Sequence, residues 1–90
     1  MSIEIKVPTL LYPFTKNQPT AEVAGNTVGE CLQHLVEKFP ALKTLLFDYQ
    51  GALNHLIHVF INQVSAHPDP LTRPVKDGDK ILLTMVIGGG

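Results

Sequence analysis

The sequence predicts an α+β domain in which a mixed sheet of four to five strands is covered on one face by a single main helix. Three observations predict this class. Apolar and charged residues alternate at the start of the chain, an amphipathic stripe occupies residues 27–39, and an apolar run at residues 81–87 precedes three terminal glycines. A two-residue period is typical of a strand with one buried face, whereas spacings of three and four indicate a helix.

Length and composition limit the chain to one small domain and exclude several function classes. Its 90 residues are 44% hydrophobic and carry a formal net charge of −1. A nucleic-acid-binding protein would carry a basic surplus, and the apolar run at residues 81–87 is too short to cross a bilayer. We therefore expect no nucleic-acid or membrane partner. A single cysteine and the lack of a secretion signal predict a cytoplasmic protein, which we expect to be a monomer when free.

The first two strands are expected to form a hairpin with a long loop. Apolar residues alternate with charged ones over residues 3–7, which predicts a strand with one buried and one solvated face. Residues 20–24 repeat this alternation. The intervening residues 16–19 have the composition of a turn. Pro13 predicts irregular chain between the first strand and this turn.

The strongest local signal is a helix that begins at Thr27. Glu30 follows three residues later, a capping-box pattern in which the two side chains accept free amides at the helix start. Six apolar residues then recur at spacings of three and four and form one stripe: Val28, Cys31, Leu32, Leu35, Val36 and Phe39. Pro40 ends the helix, which therefore has about three turns and covers one face of the sheet.

The second half of the chain predicts two further strands joined by irregular segments. Residues 41–47 are apolar enough for a short second helix or a turn, and residues 57–62 alternate as a third strand. Residues 63–74 carry three prolines, so they are mostly irregular, with one short edge strand at most. The Asp-Gly-Asp sequence at residues 77–79 predicts a turn, and the last strand occupies residues 81–87.

The order of these elements suits a sheet whose first and last strands lie parallel to each other at its centre. This arrangement is the β-grasp, or ubiquitin-like, layout, and it buries the apolar last strand. Residues 1–87 are expected to form the domain. Gly88, Gly89 and Gly90 are expected to form a flexible tail, because glycine loses more conformational entropy on ordering than any other residue.

The C-terminal tail ends in a carboxylate that another protein can reach. Three extended residues span roughly 10 Å, enough to enter a narrow tunnel in a partner. A carboxylate is a weak electrophile, but its conversion to an acyl-adenylate with ATP supplies a leaving group for attack by a sulfur or nitrogen nucleophile. The alternative is a chain end without function. The direct junction between the glycines and an ordered strand favours the reactive tail.

Several motifs, in their order and spacing, resemble the ubiquitin-like sulfur-carrier family. They are VFIN at 59–62, LTRP at 71–74, DGD at 77–79 and the terminal glycine pair. This family includes the small subunit of molybdopterin synthase, the thiamine sulfur carrier and the carrier used in cysteine synthesis. The resemblance is strongest to the cysteine-synthesis and archaeal-modifier branch, through residues 7–10 and 25–28. Gly88 stands where the family often has alanine.

The resemblance implies a sulfur carrier rather than an enzyme. It implies that an E1-like adenylating partner activates the Gly90 carboxylate with ATP and converts it into a thiocarboxylate. A sulfur-accepting enzyme then uses the sulfur in molybdopterin, thiamine or cysteine biosynthesis. The chain itself is expected to bind no cofactor or metal and to hold no catalytic residue. Two alternatives keep the fold: a ubiquitin-like modifier joined through Gly90 to lysines of target proteins, and an adaptor whose tail is inert.

A partner-binding patch is expected on the sheet face that the helix leaves open. Alternation along the third and last strands places five residues there: His58, Phe60, Leu82, Thr84 and Val86. We expect Phe60, Leu82 and Val86 to be exposed, and an exposed phenylalanine among aliphatic side chains is typical of a protein-binding hot spot. The alternative is that a fourth strand or a loop covers these residues.

Other groups that could carry chemistry are better explained by structure. Cys31 lies on the apolar stripe of the helix, where a thiol packs as a small hydrophobic side chain. Asp77 and Asp79 flank a glycine, so we expect them to shape a turn rather than to act as acid and base. Four histidines lack the spacing and the acidic or thiol partners of a metal site: His34, His55, His58 and His67.

Overall fold

Five strands form one mixed sheet in a computed structural model that describes residues 2–86. The strands are β1 (Ile3–Lys6), β2 (Thr20–Val23), β3 (Ile57–Ile61), β4 (Val64–Ser65) and β5 (Lys80–Met85). Their order across the sheet is β2-β1-β5-β3-β4. The central strands β1 and β5 are parallel, and the other neighbouring strands are antiparallel. The predicted parallel central pair is therefore confirmed.

The main helix covers the sheet and begins at the predicted cap. Helix α1 spans Val28–Lys38, and the Glu30 amide donates to Thr27 Oγ1 at 3.1 Å. The Glu30 carboxylate in turn accepts the amide of Asn26 at 2.8 Å, one residue earlier than in the usual capping box. The other helical segments are short: α2 (Lys43–Leu46) and three 3-10 helices at Thr9–Phe14, Pro40–Leu42 and Pro70–Thr72.

The structure corrects the predictions for the segment around Pro13 and for the last strand. The chain around Pro13 is not irregular, because Thr9–Phe14 form a 3-10 helix. The φ angle that proline imposes suits this helix, and the buried Leu11 anchors it to the core. The last strand is shorter than residues 81–87, because β5 ends at Met85 and Val86 already lies outside it.

The core lies between the sheet and α1. Alternate residues of β3 and β5 are buried, namely Ile57, Val59, Ile81 and Leu83. The apolar stripe of α1 packs in the same cluster, which is how an amphipathic helix stabilises a sheet that is solvated on its other face. The predicted inward and outward assignments of these two strands are confirmed.

Cys31 is fully buried in this core, as predicted for a packing residue. Burial, together with the neighbouring Glu30 carboxylate, raises the pKa of its thiol. Both effects disfavour the thiolate, which is the reactive form of cysteine. Cys31 therefore stabilises the fold as an apolar side chain.

The outer edge of β2 is covered by side chains from α1. Lys38 Nζ donates to the carbonyl of Glu22 at 3.4 Å, and His34 Nδ1 hydrogen-bonds to the carbonyl of Ala24. These contacts occupy backbone acceptors at the edge of the sheet, where no further strand pairs among the residues described.

The predicted tail of Gly88, Gly89 and Gly90, together with Ile87, lies outside the described residues. The division into a domain of residues 1–87 and a tail of residues 88–90 therefore stays a prediction. The structure does place the residue that precedes them. Val86 donates its amide to the Leu56 carbonyl at 2.8 Å, so the chain leaves the sheet beside the start of β3. No helix within residues 2–86 has the length and apolar character needed to cross a membrane.

Candidate functional site

The residues predicted to bind partners lie together on the sheet face opposite α1. Cross-strand pairing sets Phe60 directly beside Leu82 and His58 directly beside Thr84. Val86 follows just past the end of β5. Because side chains alternate across a strand, these residues share one face, opposite the buried ones. We call this set the open-face patch: His58, Phe60, Leu82, Thr84 and Val86.

The open-face patch is more covered than we predicted. Val86 is 60% exposed, but Phe60 and Leu82 are only half-buried rather than exposed. The cause is local packing, since the rings of His58 and Phe60 stack with their centroids 4.6 Å apart and Leu82 lies across the strand from Phe60. A partner that binds the open-face patch would therefore contact the exposed part of the Phe60 ring, which the His58 ring holds in place.

We considered whether a fourth strand lies over this face, but β4 does not do so. Its two residues pair with Phe60 and Ile61 of β3, so β4 extends the sheet sideways. The aromatic and aliphatic side chains of the open-face patch remain on an accessible surface, which suits contact with another protein.

A groove of about 790 Å³ continues the open face toward β1 and β2. Leu82 and Lys80 form its β5 side, Glu4 and Lys6 form its β1 side, and Tyr12 also lines it. Lys80 Nζ lies 3.9 Å from a Glu4 carboxylate oxygen, and both side chains are exposed. Solvated pairs of this kind contribute little stability, so these charges are free to contact a partner.

Two motif residues form a hydrogen-bonded staple where β5 begins. Asn62 Nδ2 donates to Asp79 Oδ1 at 3.0 Å, and the Lys80 amide donates to Asn62 Oδ1 at 3.0 Å. Asp79 Oδ2 also accepts the Lys76 amide at 2.9 Å. Asp79 is therefore a turn former, as predicted, around a Gly78 whose φ of +90° favours glycine. The part played by Asn62 was missed in the sequence.

The hydrogen bonds to Asp79 stabilise its ionised form. The Asn62 amide first, and then the Lys76 backbone amide, lower the pKa of this carboxyl below its ordinary value. Because the native pKa is lower than the unfolded one, this contribution to stability is complete above the unfolded pKa. It is lost as the pH falls through the native pKa. The staple therefore weakens only in acid.

Replacing Asn62 with alanine should lower the free energy of unfolding by about 1–2 kcal/mol, because two side-chain hydrogen bonds are lost. The acid-unfolding midpoint should also rise, since Asp79 loses its main hydrogen-bond donor. Urea unfolding at neutral pH and a pH titration of the fold measure both effects. Asn62→Gly is the matched control, because glycine adopts the positive φ of Asn62 freely and also lacks the hydrogen-bonding side chain. A glycine variant as stable as the unaltered chain would show that backbone conformation, not the staple, sets the stability.

The histidine, cysteine and acidic side chains within residues 2–86 do not cluster as a metal site. Among residues 2–86, no group of three or more His, Cys, Asp or Glu side chains converges as a metal site would. Gly90, predicted to carry the reactive carboxylate, lies outside the described residues with Gly88 and Gly89. The structure places the open-face patch on an ordered sheet face, and its last described residue, Val86, lies two positions before the predicted tail.

Comparisons with known proteins cover nearly the whole chain. The model of the ThiS family matches residues 5–90. The sulfur carrier protein CysO of Mycobacterium tuberculosis is 24% identical over 93 residues, which cover 100% of both chains.

Two solved structures have the same fold. SAMP1 of Haloferax volcanii, a small archaeal modifier protein, has a TM-score of 0.87 and 30% identity, with 100% of both chains covered. A chain of the Amycolatopsis orientalis BexX/CysO complex has a TM-score of 0.88 and 26% identity, covering 98% of this chain and 99% of that one. The predicted β-grasp fold is confirmed by these matches.

Proposed function

The chain belongs to the ThiS family, and on this premise we propose that it is a sulfur carrier that holds sulfur as a thiocarboxylate on Gly90. The observation that carries the proposal is the extent of the family match, which continues to residue 90. A carrier that reacts through Gly90 needs that residue to lie within the region that the family shares, and a match that extends to residue 90 supports this.

The proposed chemistry begins with activation of the Gly90 carboxylate. An E1-like partner joins the carboxylate to the adenylate group of ATP and releases pyrophosphate. A sulfur nucleophile at the sulfide level then attacks the acyl carbon, and AMP leaves with one of the former carboxylate oxygens. The product is the thiocarboxylate. Because ATP is the activating reagent, we place this reaction in the cytoplasm.

A second enzyme would then accept the sulfur for cofactor or amino-acid biosynthesis, with molybdopterin, thiamine and cysteine as the candidate products. The partners supply the catalytic groups and bind the ATP, and the chain supplies recognition and the acyl group. The complex of CysO with BexX from Amycolatopsis orientalis supports the view that a chain of this shape docks on a partner protein.

The length of chain between the open-face patch and Gly90 also supports a mechanism in which the partner carries out the chemistry. Four residues follow Val86, and in extended form they reach roughly 14 Å at most. A partner that binds the open-face patch must therefore keep its reaction centre within that distance of Val86. Recognition and chemistry then take place on the same partner molecule.

The second candidate function is protein modification through Gly90. Its support is the match to Haloferax volcanii SAMP1, at 30% identity over the whole chain. The activation step is common to both functions. They differ in the nucleophile that attacks the activated acyl carbon. For the carrier this nucleophile is sulfide, and for the modifier it is a lysine amine.

Intact-mass measurement after co-expression with the adenylating enzyme tests the proposal, with the protein expressed alone as the control. A mass change equal to the exchange of one oxygen for sulfur is the expected result for a carrier. Conjugates joined to cellular lysines through Gly90 would support the modifier instead. An unchanged mass without conjugates would overturn both functions and leave an adaptor with an inert tail.

A further inference from the structure

Two histidines pack against each other at the margin of the open-face patch. The ring centroids of His58 and His67 lie 4.1 Å apart, with the planes tilted by 40°. His58 also stacks on Phe60, so the pair is in direct contact with the aromatic centre of the patch. His67 belongs to the segment that follows β4. It lies eight residues after Val59, a buried residue of β3.

A backbone hydrogen bond requires one of these rings to be neutral. The Val59 amide donates to Nε2 of His67 at 3.1 Å. A ring nitrogen that accepts a hydrogen bond carries no proton, so the proton of neutral His67 is on Nδ1. Protonation of Nε2 would remove the acceptor from the amide of Val59, which is fully buried. A buried amide without an acceptor is costly.

The serine of β4 links the His58 ring to the backbone of His67. Ser65 Oγ lies 2.8 Å from Nε2 of His58 and accepts the His67 amide at 3.3 Å. Strand β4 has only two residues, and the next amide, that of Ala66, donates to the Val59 carbonyl at 2.9 Å. Such a short strand depends on side-chain contacts to stay paired, since few ladder hydrogen bonds hold it.

We propose that His58, Ser65 and His67 form a proton-sensitive clasp that keeps β4 and the open-face patch in place while the His67 ring is neutral, and that acid opens it. We call these three residues the histidine clasp. Its effect on partner binding rests on the proposed function, whereas its opening is a property of the chain alone.

The charges around the clasp favour its neutral form. Burial, and then the nearby His58, lower the pKa of His67. On β5, the residue paired with His58 is the uncharged Thr84, and β4 contributes no titratable side chain. His55 and Asp69 are titratable groups that line a groove of about 420 Å³ together with His67, and Arg73 lines a neighbouring groove together with Ser65.

The direction of the pH dependence follows from the lowered pKa. Unfolded histidine titrates near pH ~6.5, and His67 in the folded chain titrates lower. Below the unfolded pKa the unfolded chain therefore binds more protons than the folded one. The clasp contributes fully above that pH and loses its contribution as the pH falls through the native pKa.

Opening of the clasp would change the surface that a partner meets. A protonated His67 places positive charge against the His58 ring, which stacks on Phe60, and loss of the hydrogen bond from the Val59 amide frees the segment that carries His67. The surface then becomes more polar and less ordered beside Phe60. Binding through the open-face patch should therefore weaken in acid.

Nitrogen NMR of the labelled chain from about pH 8 to about pH 5 tests the clasp directly. We expect His67 to have its proton on Nδ1, and its Nε2 to have a scalar coupling to the Val59 amide nitrogen through the hydrogen bond. The coupling should disappear with a midpoint below the ordinary histidine value. Hydrogen exchange at Ser65 and Ala66 should accelerate over the same pH range.

Two variants separate the clasp from general acid effects. His58→Gln removes the neighbouring charge, so the midpoint of His67 should rise while the coupling to Val59 remains. His55→Gln is the matched control, and it should leave both the midpoint and the coupling unchanged. A proton on Nε2 of His67, or exchange at Ser65 that does not follow the His67 titration, would overturn the clasp. Because these measurements use the chain alone, a negative result would overturn the clasp without bearing on the proposed sulfur transfer. A negative result in the intact-mass test would overturn the sulfur transfer without bearing on the clasp.

Discussion

Deletion of Gly90 should abolish formation of the thiocarboxylate and leave the fold unchanged. The deletion moves the terminal carboxylate back by one residue, about 3.3–3.6 Å along an extended chain, and a shift of about 1 Å already disrupts reaction geometry. Within residues 2–86 the last buried core residue is Leu83, seven positions before Gly90, so we expect the free energy of unfolding to stay the same. Intact mass after co-expression with the adenylating enzyme measures the first effect, and urea unfolding measures the second.

Gly88→Ala is the matched control for this deletion. It alters the tail but retains its length and its terminal Gly90. We expect it to form the thiocarboxylate as the unaltered chain does. A truncated chain that still gains sulfur would refute the assignment of Gly90 as the reactive residue.

Replacement of Phe60 with alanine should weaken binding to the adenylating enzyme by about 2 kcal/mol, roughly 30-fold in Kd, the loss typical of a hot-spot residue. Phe60 lies at the centre of the open-face patch, between Leu82 across the strand and the stacked ring of His58. Its side chain is on the face opposite the core, so the domain should remain folded. Isothermal titration calorimetry gives the affinity, and thermal unfolding checks the fold.

Val64→Ala is the comparison for Phe60→Ala. Val64 is an apolar residue of the sheet edge and is 68% exposed, but it lies outside the open-face patch. Its replacement should leave the affinity within about 0.5 kcal/mol of that of the unaltered chain. Full affinity in the Phe60 variant would exclude the open-face patch as the docking surface.

The architecture was predictable because its signals are local and periodic. Such signals depend only on residues that are close together in the sequence. Examples are the cap at Thr27, the apolar stripe of α1 and the alternation in β1. The burial pattern of β5 follows from its alternation once the strand is central. The match of the ThiS family to residues 5–90 also confirms the resemblance to ubiquitin-like sulfur carriers, and the CysO and SAMP1 matches support the predicted branch.

The features that were missed depend on side chains that meet across turns. Asn62 reaches Asp79 from 17 residues away, and the His67 ring accepts an amide eight residues earlier. Sequence spacing does not reveal such contacts, since they follow from strand register and turn geometry. The same holds for Phe60, whose half-buried state results from the position of the His58 ring.

The contacts of Lys38 and His34 with the edge of β2 also affect how the protein behaves at high concentration. An open strand edge is a template on which another chain can add, and such addition leads to aggregation or fibrils. Here the ammonium group of Lys38 already binds the Glu22 carbonyl, so an incoming strand would have to displace a charged side chain into the interface. This edge therefore opposes self-assembly and leaves the molecule free to meet its partners.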